Sequence, residues 1–270
     1  MTDEMQSLEE ATRWEPVGDG EFQQTIAASW ANGPGAYGGV TAAALIRQMR
    51  RVLANVDQTI RTLGMHLCAP LRPEPSVMAV ELDRRGRSIS HLSARIVQEG
   101  ECCATATATF AADRPDSPEI RELEMPSVES PENYEAITDN PMLPTFARNH
   151  FVYRYGLGHF PMEGAERAET GGWLNFVEPV EDGALSAACL LDAWPPSVFS
   201  TFETFRRTVT VDLRYQFFET HRREGVTDEP FLFHARTDTA SDGYAQEDAD
   251  LWSPDGDLVA RAQQLYAVLD

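Results

Sequence analysis

The chain has 270 residues, 42% of them hydrophobic, and a formal net charge of −21 at pH 7. That length supports one large core or two small ones, and no stretch approaches the roughly 20 apolar residues that span a bilayer. The 22 basic side chains are all arginine, and the acidic excess argues against nucleic acid and anionic lipid as partners, because both need a basic face.

In chain order, residues 1–21 are polar and acidic and read as a flexible lead-in. Met1-Thr2-Asp3-Glu4 lacks the basic and apolar regions of a signal peptide, which points to the cytoplasm. Phe22 to Trp30 has strand character, and Asn32-Gly33-Pro34-Gly35 has turn chemistry. Gly38-Gly39 then opens an apolar helix through Val40, Ala43, Ala44, Leu45 and Ile46, whose later turns carry Arg47, Arg50 and Arg51, as suits a helix C-terminus. A β-rich stretch follows from Thr62 to Leu71. Three strands are predicted from Val77 to Phe110, with turns at Arg85-Gly86 and Glu99-Gly100; the last alternates small residues with threonine.

Between residues 113 and 149 the character changes to glutamate and proline, with Pro115, Pro118, Pro126, Pro131, Pro141 and Pro144, and this reads as an exposed, irregular linker. Strand character resumes near Phe151-Val152-Tyr153. Gly183 opens a second helix, Ala184 to Trp194, apolar on every face and therefore buried, which Pro195-Pro196 breaks. Thr208 to Leu213 is a β-branched strand. Three more strands, Phe231 to Thr237, Ala245 to Trp252 and Leu258 to Leu269, complete the chain, the last two joined at Pro254-Asp255-Gly256.

The order helix, strand, hairpins therefore occurs twice. The turns correspond as well: Arg85-Gly86-Arg87-Ser88 stands where Ser241-Asp242-Gly243-Tyr244 stands, and Gln98-Glu99-Gly100 where Pro254-Asp255-Gly256 stands. A period this long means two fused copies of one fold rather than a solenoid. The expected units are residues 22–112 and 150–270.

The cysteines, Cys68, Cys102, Cys103 and Cys189, have neither disulfide-framework nor zinc-site spacing and read as small buried hydrophobes. His66 and His91 sit in strand contexts and read as structural. Arg84, Arg85 and Arg87, then Arg206, Arg207 and Arg214, then Arg222 and Arg223, form local clusters that suit either solvated surface or an anionic ligand.

Asp192 is the most unusual residue. A carboxylate near the C-terminal end of an apolar helix opposes the helix dipole and suffers from burial. It either reaches water at the proline break, caps a loop, or activates a water molecule. Thr210 by itself is an ordinary strand threonine. Gln263 and Gln264 point to opposite faces of the last strand, so one of them points inward. The backbone N–H groups at Gly38 and Gly39, at a helix N-terminus, are candidate donors to an oxyanion, with simple turn geometry as the plain reading.

A buried helix wrapped by a curved antiparallel sheet, present twice, resembles an α+β double hotdog, and the chain is similar to double-hotdog acyl-CoA thioesterases of the bacterial thioesterase II (TesB-like) family. The resemblance spans residues 22–268. It rests on Gly38-Gly39, Leu71-Arg72-Pro73, Gly86-Arg87-Ser88 and Gln98-Glu99-Gly100 in the first copy. In the second it rests on Leu191-Asp192-Ala193, Thr210-Val211-Asp212 and Asp255-Gly256-Asp257-Leu258-Val259-Ala260 leading to Gln264. It implies Asp192, Thr210 and Gln264 as the catalytic set around a water, Gly38 and Gly39 on the substrate, an acyl-CoA substrate with its chain in an apolar tunnel, and neither metal nor redox cofactor. In the first copy the position of Gln264 is taken by Ala108, and Val40 to Ile46 offer no acid, so one site per chain is expected. Val40 departs from the glutamine that often follows the Gly pair, as does Trp194-Pro195-Pro196 from a helical continuation. Two other functions stay open: a non-catalytic acyl-CoA-binding hotdog protein, and a hotdog enoyl-CoA hydratase, for which Asp139-Asn140-Pro141 lacks the flanking Gly and His. Assembly into a homodimer is also left open.

Overall fold

A computed structural model describes residues 5–138, 140–218 and 224–269. Four helices are α1 (Leu8–Thr12), α2 (Gly38–Leu53), α3 (Thr145–His150) and α4 (Gly183–Ala193). The strands of the first half are β1 (Glu15–Gly18), β2 (Glu21–Gln24), β3 (Ala31–Asn32), β4 (Gly35–Ala36), β5 (Thr59–Leu67), β6 (Ser76–Arg84), β7 (Ile89–Gln98) and β8 (Glu101–Ala111). Those of the second are β9 (Phe151–Gly158), β10 (Ala168–Phe176), β11 (Val180–Asp182), β12 (Thr208–Phe217), β13 (Glu224–Thr227), β14 (Phe231–Ser241), β15 (Tyr244–Trp252) and β16 (Leu258–Val268).

Twelve strands form one antiparallel sheet in the order β1-β2-β6-β7-β8-β5-β12-β16-β15-β14-β10-β9. Read from either end, the order is the same motif, and the two motifs meet where β5 pairs with β12, from Asp212↔His66 to Gln216↔Thr62. Helices α2 and α4 pack against each other, and nearly every residue of α4 is buried, as its apolar composition requires. The core is continuous across both copies, from Trp14 and Leu45 to Tyr215 and Leu251.

The repeat extends to its irregularities. In β5 the pairing with β8 slips between Ile60 and Thr62, with Ile60 opposite Phe110. In β12 the pairing with β16 slips between Thr210 and Asp212, with Thr210 opposite Tyr266. A second pair of slips follows Ile96 opposite Ala104 and Leu251 opposite Ala260. Four residues beyond Ala104 and Ala260 stand Ala108 and Gln264. The β-bulge, which re-aims a side chain, is thus a shared feature, and the polar groups are particular to the second copy.

Three expectations need correction. Residues 8–18 are not a lead-in but a helix and a strand: Ser7 and Glu10 form a capping box, and Ala11 and Trp14 are fully buried. The apolar residues hidden among the acids, Leu8, Ala11 and Trp14, outweigh the surface polarity. The stretch from Phe22 to Trp30 is strand only to Gln24 and then turns as a 3₁₀ helix over Ala28–Trp30. Of the four cysteines only Cys103 and Cys189 are buried; Cys68 follows the end of β5 and is exposed, and Cys102 alternates to the outer face of β8. Residues 112–130 have no regular structure, yet Met125 and Val128 within that stretch, with Tyr134 beyond it, cover the outer cluster Trp173, Leu232 and Trp252. Among the described residues no helix is long and apolar enough to cross a membrane.

Candidate active site

Asp192 stands one residue before the end of α4, where Pro195 and Pro196 forbid further helix. The dipole of its own helix disfavours its charge there. The structure answers with a second helix. The N-terminus of α2 abuts the acid, and the backbone N–H groups of Gly39 and Gly38 pull its proton affinity down. These are first-turn donors with no partner inside the helix, so the positive end of α2 compensates the negative end of α4. The approach is so close that a Cβ at Gly38 would lie 2.6 Å from Asp192 Oδ2. At Gly39 a Cβ would meet the Tyr37 ring at 2.5 Å. Both glycines are required by contact rather than by backbone conformation.

Thr210 reaches the same place because of the bulge. In a regular strand residues 210, 212 and 214 share one face. The slip at Val211 turns Thr210 inward, whereas Asp212 stays outside with His66 at 3.1 Å and Arg214 at 2.9 Å. Gln264, buried on β16, opposes Leu213. Its Nε2 donates to Asp192 Oδ1 at 3.0 Å and to Thr210 Oγ1 at 2.7 Å. Gln263 faces out and bonds Asp248. The structure therefore brings together Asp192, Thr210, Gln264, Gly38 and Gly39.

The network constrains what remains free. An amide has two N–H donors and one carbonyl acceptor. Both donors of Gln264 are engaged by Asp192 and Thr210, an assignment that follows from the acceptor character of the carboxylate. Gln264 Oε1 is left as an acceptor and the Thr210 hydroxyl hydrogen as a donor. Burial pushes Asp192 up to about 7, against the downward pull of the bonds from Gln264, Gly39 and Gly38. The acid is half-buried rather than sealed. A carboxylate with that proton affinity is matched to proton transfer near neutral pH.

One residue of this neighbourhood escaped the sequence reading. Glu247 on β15 is buried and is the cross-strand partner of Gln264. The alternation of Ala245, Glu247 and Ala249 on the inner face of β15 was the available signal. Of the arginine clusters, Arg214 is paired with Asp212 and Arg206 lies over the Phe202 ring; Arg222 and Arg223, like Asp139, lie outside the described residues. Among the described residues no group of three His, Cys, Asp or Glu is placed to hold a metal ion.

Two family models match the chain. One, described as the acyl-CoA thioesterase C-terminal domain, covers residues 124–268, and the other, the acyl-CoA thioesterase N-terminal domain, covers residues 26–111. A hot dog fold protein of unknown function from Alicyclobacillus acidocaldarius is similar at a TM-score of 0.89 and 25% identity, over 97% of this chain and 98% of that one. A TesB protein from Mycobacterium avium subsp. paratuberculosis aligns at a TM-score of 0.79 and 16% identity, over 97% and 98% of the two chains. An acyl-CoA thioesterase II from Mycobacterium marinum aligns at a TM-score of 0.76 and 18% identity over the same shares. The last two likenesses bear on the fold, which is the expected double hotdog. No curated protein sequence matches the chain.

Proposed function

Because the chain belongs to the acyl-CoA thioesterase family and is a thioester hydrolase, we propose that it cleaves an acyl-CoA to the free acid and coenzyme A with a water activated by Asp192. The observation that carries this reading is the Gln264 amide, which ties the acid of one helix to the hydroxyl of a bulged strand. In this reading the water lies against Asp192, donating one hydrogen to the carboxylate and the other to Gln264 Oε1, with Thr210 fixing the amide. Such positioning replaces an encounter with a held geometry.

Asp192 takes a proton as the water oxygen bonds to the thioester carbon. The resulting oxyanion needs donors, and the N–H groups of Gly38 and Gly39 are proposed for it. They hold the carboxylate while it is charged. Once it is protonated, the negative charge has moved to the carbonyl oxygen, and the same donors can follow it. Collapse breaks the C–S bond, and the Asp192 proton passes to the departing thiolate.

The test is release of free thiol from a panel of acyl-CoAs of graded chain length, with binding of each measured in parallel. Turnover of at least one member is the expected result. Binding without release from any member would instead mark an acyl-CoA-binding protein.

A further inference from the structure

The proposed chemistry uses one acid, yet a second lies buried beside it. Glu247 is 2% exposed, and its carboxylate accepts from the Ser197 backbone N–H and, at 3.2 Å, from the Tyr266 hydroxyl. Ser197 opens the 3₁₀ turn Ser197–Thr201, directly after the proline pair that ends α4. Its hydroxyl is tied in turn to Thr237 Oγ1 at 2.9 Å. Tyr266 is the residue two beyond Gln264 on the same strand face, and it opposes Thr210 across the bulge. Glu247 is thus bonded to the turn that follows Asp192 and to the strand that carries Gln264.

We propose that Glu247 is a positioning residue for Asp192: it fixes the chain reversal after α4 to β16 and holds a second negative charge beside the catalytic acid. A core position with no such task would not carry a carboxylate, since burying a charge is costly unless it is bonded. The inference rests on the proposed role of Asp192.

The groups around the two acids leave their titration legible. Those that sense Asp192 or Glu247 are Tyr37 just before α2, Cys189 on α4, Tyr153 on β9, Tyr215 on β12 and Tyr266 on β16. Burial holds the four phenols well above their ordinary range and pushes Cys189 up to about 12, so all five stay neutral through neutral pH. Among these groups, only the two carboxyls exchange protons there. Burial pushes Glu247 up to about 7, with the Asp192 charge adding to the rise. Coupling of that kind is mutual and belongs to the pair.

The experiment is the pH profile of kcat/KM for an acyl-CoA, between pH 5.5 and 9, in wild type, Glu247→Gln, Tyr266→Phe and Asp192→Asn. Glu247→Gln keeps an acceptor for Ser197 but removes the charge, so the acidic limb should move to lower pH. Tyr266→Phe withdraws a donor from the Glu247 anion. Glu247 then protonates more readily, Asp192 loses its charged neighbour, and the limb should move the same way by less; this variant decides the matter should Glu247→Gln fail to fold. A limb that stays in place in the folded variants overturns the inference, because a purely structural glutamate would lower kcat without moving it. A wild-type limb that survives in Asp192→Asn would instead sink the underlying assignment of the base.

Discussion

Gly38 has no room for a side chain because Asp192 Oδ2 would lie 2.6 Å from its Cβ. The two residues belong to different repeats, at the N-terminus of α2 and near the C-terminus of α4. The helix ends meet across the fusion, and each supplies what the other lacks: unbonded N–H groups on one side and a carboxylate on the other. Neither copy could form this arrangement alone.

Gly38→Ala should therefore damage function without damaging the helix, since alanine is a better helix former than glycine. The added methyl must displace the carboxylate. A misplacement of about 1 Å is enough to cost roughly a hundredfold in rate. The check is kcat/KM beside the far-ultraviolet dichroism spectrum, with activity lost and helicity retained.

Gln264→Leu removes both N–H donors from the network. Turnover should fall by a factor on the order of 10². The bond from Gln264 lowers the proton affinity of Asp192, so any residual activity should show its acidic limb at higher pH than wild type. This is opposite in sign to the change expected for Glu247→Gln, and one set of pH–rate curves compares the two.

Acid should destabilise the fold through His150. Its ring stacks on Trp30 with centroids 3.5 Å apart and planes within 3°, and burial lowers it from 6.5 to about 4. For a base with a depressed folded pKa, the unfolded chain binds the extra proton between pH 6.5 and 4. Stability is thus intact above that window and falls as pH drops through it, by about 3 kcal/mol in all. Melting temperatures from pH 8 to 4 should show this loss, and His150→Phe, which keeps an aromatic ring for Trp30, should show a shallower one.

Much of the fold was legible because its signals are local. Glycine turns, proline breaks and period-two strands recur in one order in both halves, and α4 is apolar on every side. Asp192 was legible for the same reason, as an acid where packing offers it nothing. Thr210 was not legible from strand periodicity alone, because the bulge at Val211 decides which way it points and a bulge leaves no composition signature. The direction in which Gly38 and Gly39 aim their N–H groups depends on how α2 meets α4, a contact between residues about 150 apart in sequence. Residues 8–14 were misread because acidic composition masked three apolar residues at helical spacing.

The most direct test of the central claim is Asp192→Asn, assayed for thiol release from the best acyl-CoA of the panel and for thermal unfolding in the same buffer. The expected result is a fall in kcat of roughly 10²–10⁴-fold, the range of a lost general base, in a protein that still unfolds cooperatively. Unchanged turnover in the folded variant would contradict the assignment of Asp192 as the base.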